Sequence, residues 1–310
     1  MEEKSKASNQ RMVEFQWLHN EESLKIGLAK LLNCSGQLLK KYFSSSKLSR
    51  PIFAKSLMKL DLNLVNHLNI YPFYEGPQLK IIAENESYLV VHKSFGIHCH
   101  PLKYEDKNTV LNYLVKEKKW DALNVNSSHY DRGLLYRLDE GTSGVLVLAK
   151  TEKKFDEIRN DFFQVVKEKY YLAIVKGDFD REGRWEHFFS PYGVKGSKQL
   201  VGAIEKKDHS RGVLECLKVQ YMKGYSLILV RLKTGLRHQI RAQLAFLGFP
   251  ILGDTLYGGV EEKRIYLHAW RYKLDGELFQ DNEAELFDNF VDLNSAFQVG
   301  QDMINRIEGI

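Results

Sequence analysis

Leu135 to Lys150 reads LYRLDEGTSGVLVLAK, and the order of residue types in this stretch decides how the rest of the chain is read. Taken as extended, Leu134 to Asp139 puts Arg137 and Asp139 on one face and Leu134, Tyr136 and Leu138 on the other, because strand side chains alternate. A cation and a carboxylate then leave an apolar strand in the same direction. Gly141, Thr142, Ser143 and Gly144 turn the chain into VLVLA, an apolar run of strand length. A carboxylate ahead of a tight turn is more often a turn or cap residue than a reactive group, so the weight of this segment depends on its company.

That company is specific. Asn85 to Pro101, NESYLVVHKSFGIHCHP, leads a strand into Lys93 and Gly96 and ends on His100 and Pro101. Lys169 to Gly177, KYYLAIVKG, puts Tyr171 on one strand face with Lys169 and Ala173. Thr234 to Gly258, TGLRHQIRAQLAFLGFPILGDTLYG, reads as a turn into a helix from Arg237 to Leu247. On that helix Ile240, Leu244 and Leu247 form the buried stripe, and His238 and Arg241 share a neighbouring face. Leu267, His268 and Ala269 follow as L-H-A. From about Gln78 to the C-terminal region, these segments together resemble, in order, the RluA family of pseudouridine synthases.

The resemblance implies a fold, a reaction and a site. The fold is α+β, the pseudouridine synthase fold, with a long, mixed, mainly antiparallel sheet, flanking helices and a central cleft. The reaction isomerises uridine in ribosomal or transfer RNA to pseudouridine, with neither a metal nor an organic cofactor. The family's catalytic aspartate falls on Asp139, its tyrosine against the target base on Tyr171, and the arginine that pairs with the aspartate on Arg241. Arg137 fills the place in the RNA left by the flipped base, a step required because C1′ and C5 of a stacked nucleotide are closed to attack. Thr142 and Ser143 shape the loop and can offer hydroxyls to phosphate, while Lys169, Arg237, His238 and Gln239 are expected to bind substrate. Four positions depart from the family's pattern: Tyr136 where histidine is usual, Ser94 for proline, Leu236 for arginine and Gln243 for histidine. They bear on RNA affinity and substrate identity more than on reaction type.

Composition agrees. With 310 residues the chain can hold one large domain and a small one. The formal net charge of +5, from 45 basic and 40 acidic side chains, permits an RNA partner. Cys34, Cys99 and Cys216 are far apart and make neither a metal motif nor a disulfide framework. No apolar run approaches the roughly 18 residues of a membrane span, so a cytoplasmic monomer is expected.

Three regions are expected: a disordered leader at residues 1–11, an N-terminal helical region at 12–75 and a catalytic domain at 76–310. In the second, leucines from Leu24 to Leu32 repeat at helical spacing, Pro51 to Leu60 resumes it, and LNLVNHLNI is a candidate strand. This order is similar to the α-L type of RNA-binding module; a helical extension packing on the catalytic core is the other reading. Tyr71 to Pro77 is the candidate linker. Beyond it, strands dominate, and a helix is expected over Lys153 to Val166 from the stripe of Phe155, Ile158, Phe162 and Val166. Two other functional classes are open. One is a catalytically silent RNA-binding protein of the same fold. The other is a hydrolytic nucleosidase or glycosidase, but such enzymes usually pair two carboxylates, and Glu140, next in an extended chain, points away from Asp139.

Overall fold

A computed structural model of the chain describes residues 12–282 except Asn33, together with Asp302 and Ile304. The expected leader at residues 1–11 lies outside the described residues.

The N-terminal unit runs β1 (Met12–Gln16), α1 (Leu24–Leu32), α2 (Gly36–Leu39), α3 (Ser45–Leu48), β2 (Leu57–Asp61) and α4 (Leu62–Val65). Its strands pair antiparallel from Met12 opposite Asp61 to Gln16 opposite Leu57. Trp17, Leu24, Leu28, Leu39, Leu48, Leu60 and Leu64 form a core of its own. Two expectations are reversed here. The Pro51–Leu60 stretch is not a helix: Lys55 takes a left-handed φ of 70°, which a right-handed helix does not accommodate, and the chain then enters β2. The segment LNLVNHLNI opens as the helix α4, because the Asp61 carboxylate accepts from the Asn63 amide at 2.8 Å and so caps a first turn.

The remainder is built on a ten-stranded sheet. It contains β3 (Ile81–Glu84), β4 (Tyr88–Lys93), α5 (Val110–Lys116), α6 (Trp120–Asn124), β5 (Ser143–Ala149), α7 (Glu152–Asn160), α8 (Phe162–Val165), β6 (Val166–Lys176), β7 (Gly183–Tyr192), β8 (Lys198–Gly202), β9 (Ser210–Met222), β10 (Tyr225–Leu232), α9 (Gln239–Phe246), β11 (Leu267–Leu274) and β12 (Glu277–Gln280). The order across the sheet is β3-β4-β5-β11-β6-β10-β9-β7-β8, with β12 on β11. Neighbours are antiparallel except at the join of β5 and β11, which are parallel and matched only at Ser143/His268 and Gly144/Ala269. Gly144 is required at that join, since a Cβ there would meet the Ala269 carbonyl oxygen at 2.2 Å. Past Gly144 and Ala269 the two strands are no longer matched, and Leu134 to Tyr136 bond to that part of β5 instead, the Leu135 amide to the Val147 carbonyl at 3.1 Å and the Tyr136 hydroxyl to the Val145 carbonyl at 3.1 Å. This is the expected α+β architecture with a mixed, mostly antiparallel sheet.

Local differences have local causes. Leu134 to Asp139 is not a strand; one bridge, Leu134 to Leu148, is all that remains of it. The left-handed Arg132 turns the chain sharply just before it. The helix expected over Lys153 to Val166 is broken at Asp161, which leaves helical geometry with φ −132° and ψ 42°; it resumes as α8 to Val165, and Val166 begins β6. Phe155 and Ile158 are still its buried face. The strands β7, β8 and β12 were not expected. Their residues are half exposed and polar in part, so they lack the apolar pattern of β5, which is buried along its whole length. No described helix is long and apolar enough to cross a membrane.

Candidate active site

The cleft encloses about 1600 Å³, and its wall includes Arg137, Asp139, Lys169, Tyr171, His238 and Arg241. Asp139 stands on the loop entering β5, and that loop is pinned from beneath. Lys93, at the end of β4, is fully buried. Its ammonium donates to the carbonyls of Ser94, Glu140 and Thr142 at 3.0, 3.1 and 2.8 Å. Burial, partly offset by nearby anionic groups, lowers this lysine to about 8. The Thr142 amide closes the turn on the Asp139 carbonyl at 3.1 Å, so the carboxylate has a fixed base while its side chain stays 27% exposed.

Arg241 reaches Asp139 from α9. Its Nη1 donates to Asp139 Oδ2 at 3.1 Å. The other edge of the guanidinium makes a two-bond fork on Asp254, Nε to Oδ2 at 2.6 Å and Nη2 to Oδ1 at 2.8 Å. Desolvation opposes the arginine's charge, and the two carboxylates more than restore it, raising its affinity for the proton. His238 is not on the helix as expected; it precedes α9 with φ 54°. From there its Nε2 lies 3.8 Å from Asp139 Oδ2, and its Nδ1 meets the Tyr257 hydroxyl at 3.1 Å. Burial pushes the His238 imidazole down, against the pull of Asp139.

Tyr171, on β6, closes the floor. Its hydroxyl hydrogen-bonds that of Tyr272 on β11, and Tyr272 stacks on Tyr136 with ring centroids 4.5 Å apart. Burial and the nearby Asp139 raise the phenol well above its ordinary range, so it keeps its proton at neutral pH. Lys169 donates to the Thr234 carbonyl at 3.1 Å, and burial lowers it to about 8. At the mouth, Arg137 is half exposed and donates to both oxygens of Asp131 at 3.2 and 3.0 Å.

The expected site residues separate into two groups. Asp139, Tyr171 and Arg241 meet on the cleft floor, with His238 and Lys169 beside them and Arg137 and Arg237 on the wall. Ser143 does not face the cleft: it is fully buried, and its hydroxyl is taken by His268 at 2.9 Å and Arg264 at 2.7 Å. Thr142 is buried too, although it borders the cleft. Gln239 touches the wall while its amide is occupied by Thr234, Leu236, Val213 and Gln243. Arg237 donates to the Gly196 carbonyl at 2.8 Å. Among the described residues, no group of three or more His, Cys, Asp or Glu is gathered as metal ligands would be.

Comparison with known proteins places this cleft in a family. A family profile described as RNA pseudouridylate synthase matches residues 87–246, the span that carries Asp139, Tyr171 and Arg241. The chain belongs to this family, as an RNA pseudouridine synthase of the RluA type. It is 31% identical over 252 residues to ribosomal large subunit pseudouridine synthase D of Borreliella burgdorferi, covering 80% of this chain and 76% of that one. Its match to the protein of the same name from Zymomonas mobilis is 30% identical over 191 residues and covers 60% of this chain and 59% of the other. Human RNA Pseudouridylate Synthase Domain Containing 1 shares the fold, with a TM-score of 0.54 at 21% identity over 72% of this chain and 95% of that one.

As a pseudouridine synthase, the chain is an isomerase whose cleft contains groups that the sequence did not single out. Asp254 and Tyr257 lie in the G-D-x-x-Y-G run, where an aspartate after glycine reads as a turn residue. Lys93 stands in the expected lysine position, but a lysine at the end of a strand reads as solvated, not as a buried pin. Tyr272 gave no signal: in IYLHAWRYKL it is one aromatic among several.

Proposed function

We propose that this enzyme isomerises uridine in large-subunit ribosomal RNA, with Asp139 as the catalytic carboxylate. The observation that carries the reading is the 3.1 Å contact of Arg241 with Asp139 on the cleft floor beside Tyr171. The choice of ribosomal RNA is supported by the Borreliella and Zymomonas relatives, each named as a synthase of the large ribosomal subunit.

In the reaction the N1–C1′ bond of uridine breaks, the base turns, and C5 bonds to C1′. The proton on C5 is lost and N1 gains one, so the product is an isomer of the substrate. Asp139 is the carboxylate that acts on the flipped nucleotide, and Arg241 pairs with it and sets its rotamer. Tyr171 lies against the base and takes part in proton transfer. Arg137 leaves Asp131 and enters the gap in the RNA stack. The N-terminal unit, which lends Gln37, Lys41 and His67 to the cleft wall, adds RNA contact rather than chemistry.

Mapping pseudouridine in ribosomal and transfer RNA from cells with and without the gene identifies the substrate. Sites lost only from large-subunit ribosomal RNA are expected; sites lost only from transfer RNA contradict the choice. For the chemistry, Asp139→Asn keeps the shape and removes the charge, and pseudouridine formation should vanish with RNA binding retained. Turnover within about tenfold of wild type rules out Asp139.

A further inference from the structure

We propose that Phe95 is a stacking platform for an unstacked base of the RNA beside the target uridine, with the Arg264 guanidinium as its charged backing. The proposal rests on the reading that the target uridine is flipped against Asp139, and it adds a contact for a neighbouring nucleotide.

The turn that carries Phe95 is tied to the loop of Asp139 on both sides of the ring. On one side Lys93 Nζ donates to the carbonyls of Ser94 and Glu140 at 3.0 and 3.1 Å. On the other the Gly96 amide donates to the Glu140 carbonyl at 2.9 Å, and Gly96 makes the turn with a left-handed φ of 76°. Phe95 is thereby held next to the residue that follows Asp139. It lies on the cleft wall and is 41% exposed. Tyr130, on the same wall, is equally open, but its ring packs against those of His129 and His100, with centroids 4.1 and 4.7 Å away. Phe95 meets a cation instead.

That cation is the guanidinium of Arg264, whose central carbon lies 4.5 Å from the centre of the Phe95 ring. Arg264 is buried and also borders the cleft. Its Nη2 donates to the Ser143 hydroxyl at 2.7 Å and its Nε to the Ile265 carbonyl at 3.2 Å. Among the described residues its Nη1 makes no hydrogen bond, although it is buried. Burial lowers this arginine to about 10, so it is still a cation at neutral pH. A cation over a ring is held by the ring's quadrupole, which fixes the phenyl group before RNA arrives and spares the cost of ordering it on binding. A buried donor with a bond still to make is costly alone, and the oxygens of a nucleotide are acceptors that the protein does not supply there.

Flipping the target uridine takes a stacking partner from the bases on either side of it. Splayed RNA bases are held by stacking on aromatic rings and on arginine planes, and one such stack is worth about tenfold in affinity or more. Phe95 over Arg264, next to the catalytic loop, offers both kinds of surface at the place where a base loses its neighbour.

The test uses the full chain and total RNA, labelled with 5-tritiated uridine, from cells lacking the gene, because tritium is released when C5 joins C1′. Phe95→Leu keeps apolar bulk and removes the ring. Under single turnover it should raise the enzyme concentration that gives the half-maximal rate by about tenfold and leave the saturating rate within about twofold of wild type. Phe95→Tyr, which restores a ring, should restore the wild-type concentration. A half-maximal concentration unchanged in Phe95→Leu, or raised as much in Phe95→Tyr, overturns the platform. Phe95→Trp gives a reading that depends neither on rate nor on the folding of the leucine variant. Its emission beyond that of the wild-type tryptophans should be quenched when the RNA is added, because a stacked base quenches an indole; undiminished emission overturns the proposal. Asp139→Asn run in parallel separates the two levels: if it is active, the underlying reading fails whatever Phe95 does.

Discussion

Arg241 and Arg137 each grip an aspartate in the same cleft, and the two grips differ in burial. Arg241 and Asp254 have side chains only 7% and 1% exposed, whereas Arg137 is 50% exposed above a buried Asp131. An exposed ion pair contributes roughly 0–1 kcal/mol, while removing one partner of a buried pair costs about 3–5 kcal/mol. The floor pair is therefore a fixed frame, whereas in the rim pair only the carboxylate is buried and the guanidinium already faces solvent on one side. His100 and His129 stand with ring nitrogens 3.6 Å from Asp131, so the aspartate has polar neighbours besides Arg137. Under the proposed reading, this division suits a reaction in which Arg137 fills the place left by the flipped nucleotide while the nucleotide is held against an immobile floor.

The largest effect should come from the floor. Asp139→Asn should abolish pseudouridine formation while the circular dichroism melt stays close to wild type, since a partly exposed carboxylate is replaced by its isostere. Arg241→Met should cost about 3–5 kcal/mol of stability by leaving Asp254 buried and unpaired, which a denaturant titration measures; a change under about 1 kcal/mol would place Arg241 with the rim instead. Tyr171→Phe keeps the ring and removes the phenol, and should slow single turnover by ~10²-fold with RNA affinity little changed. An unchanged rate reduces Tyr171 to packing against Tyr272.

Smaller effects belong to the periphery. Arg137→Met should cost less stability than Arg241→Met, because Asp131 keeps His100 and His129 beside it, with its loss of rate confined to the flipping step. A fragment starting at Gln78 should retain turnover on saturating RNA, bind more weakly and show a shallower salt dependence, because Lys47, Arg50, Lys55 and Lys59 are gone. Insolubility of that fragment would show that the N-terminal core instead supports the catalytic sheet by packing.

The contrast between floor and rim also marks what the sequence carried. Asp139 and Arg241, 102 residues apart, were joined only because the motifs around them resemble a known family; periodicity alone gives a surface arginine on an amphipathic helix. The β5 strand was legible because it is buried on both faces, while β7 and β8 were not because each keeps a solvated face. Ser143 was misplaced for a related reason. A hydroxyl beside a turn reads as accessible, but β5 begins at that residue, and the first hydroxyl of the strand is drawn into the buried contact with His268 and Arg264. The Asp254 fork depends on a loop folding back over α9, which no local pattern encodes.

The most direct measurement is the pH–rate profile of Arg241→Met against that of Arg137→Met, both under single turnover on saturating RNA. Losing the cation at the floor favours the protonated form of the nearby carboxyl, all the more because Asp254 remains. Activity of Arg241→Met should therefore be low at neutral pH and recover in part as pH rises, while Arg137→Met keeps the wild-type profile at a lower amplitude. If both variants give the same flat profile and the same loss of RNA affinity, Arg241 is an RNA contact like Arg137, and the ion pair with Asp139 is not what drives this enzyme.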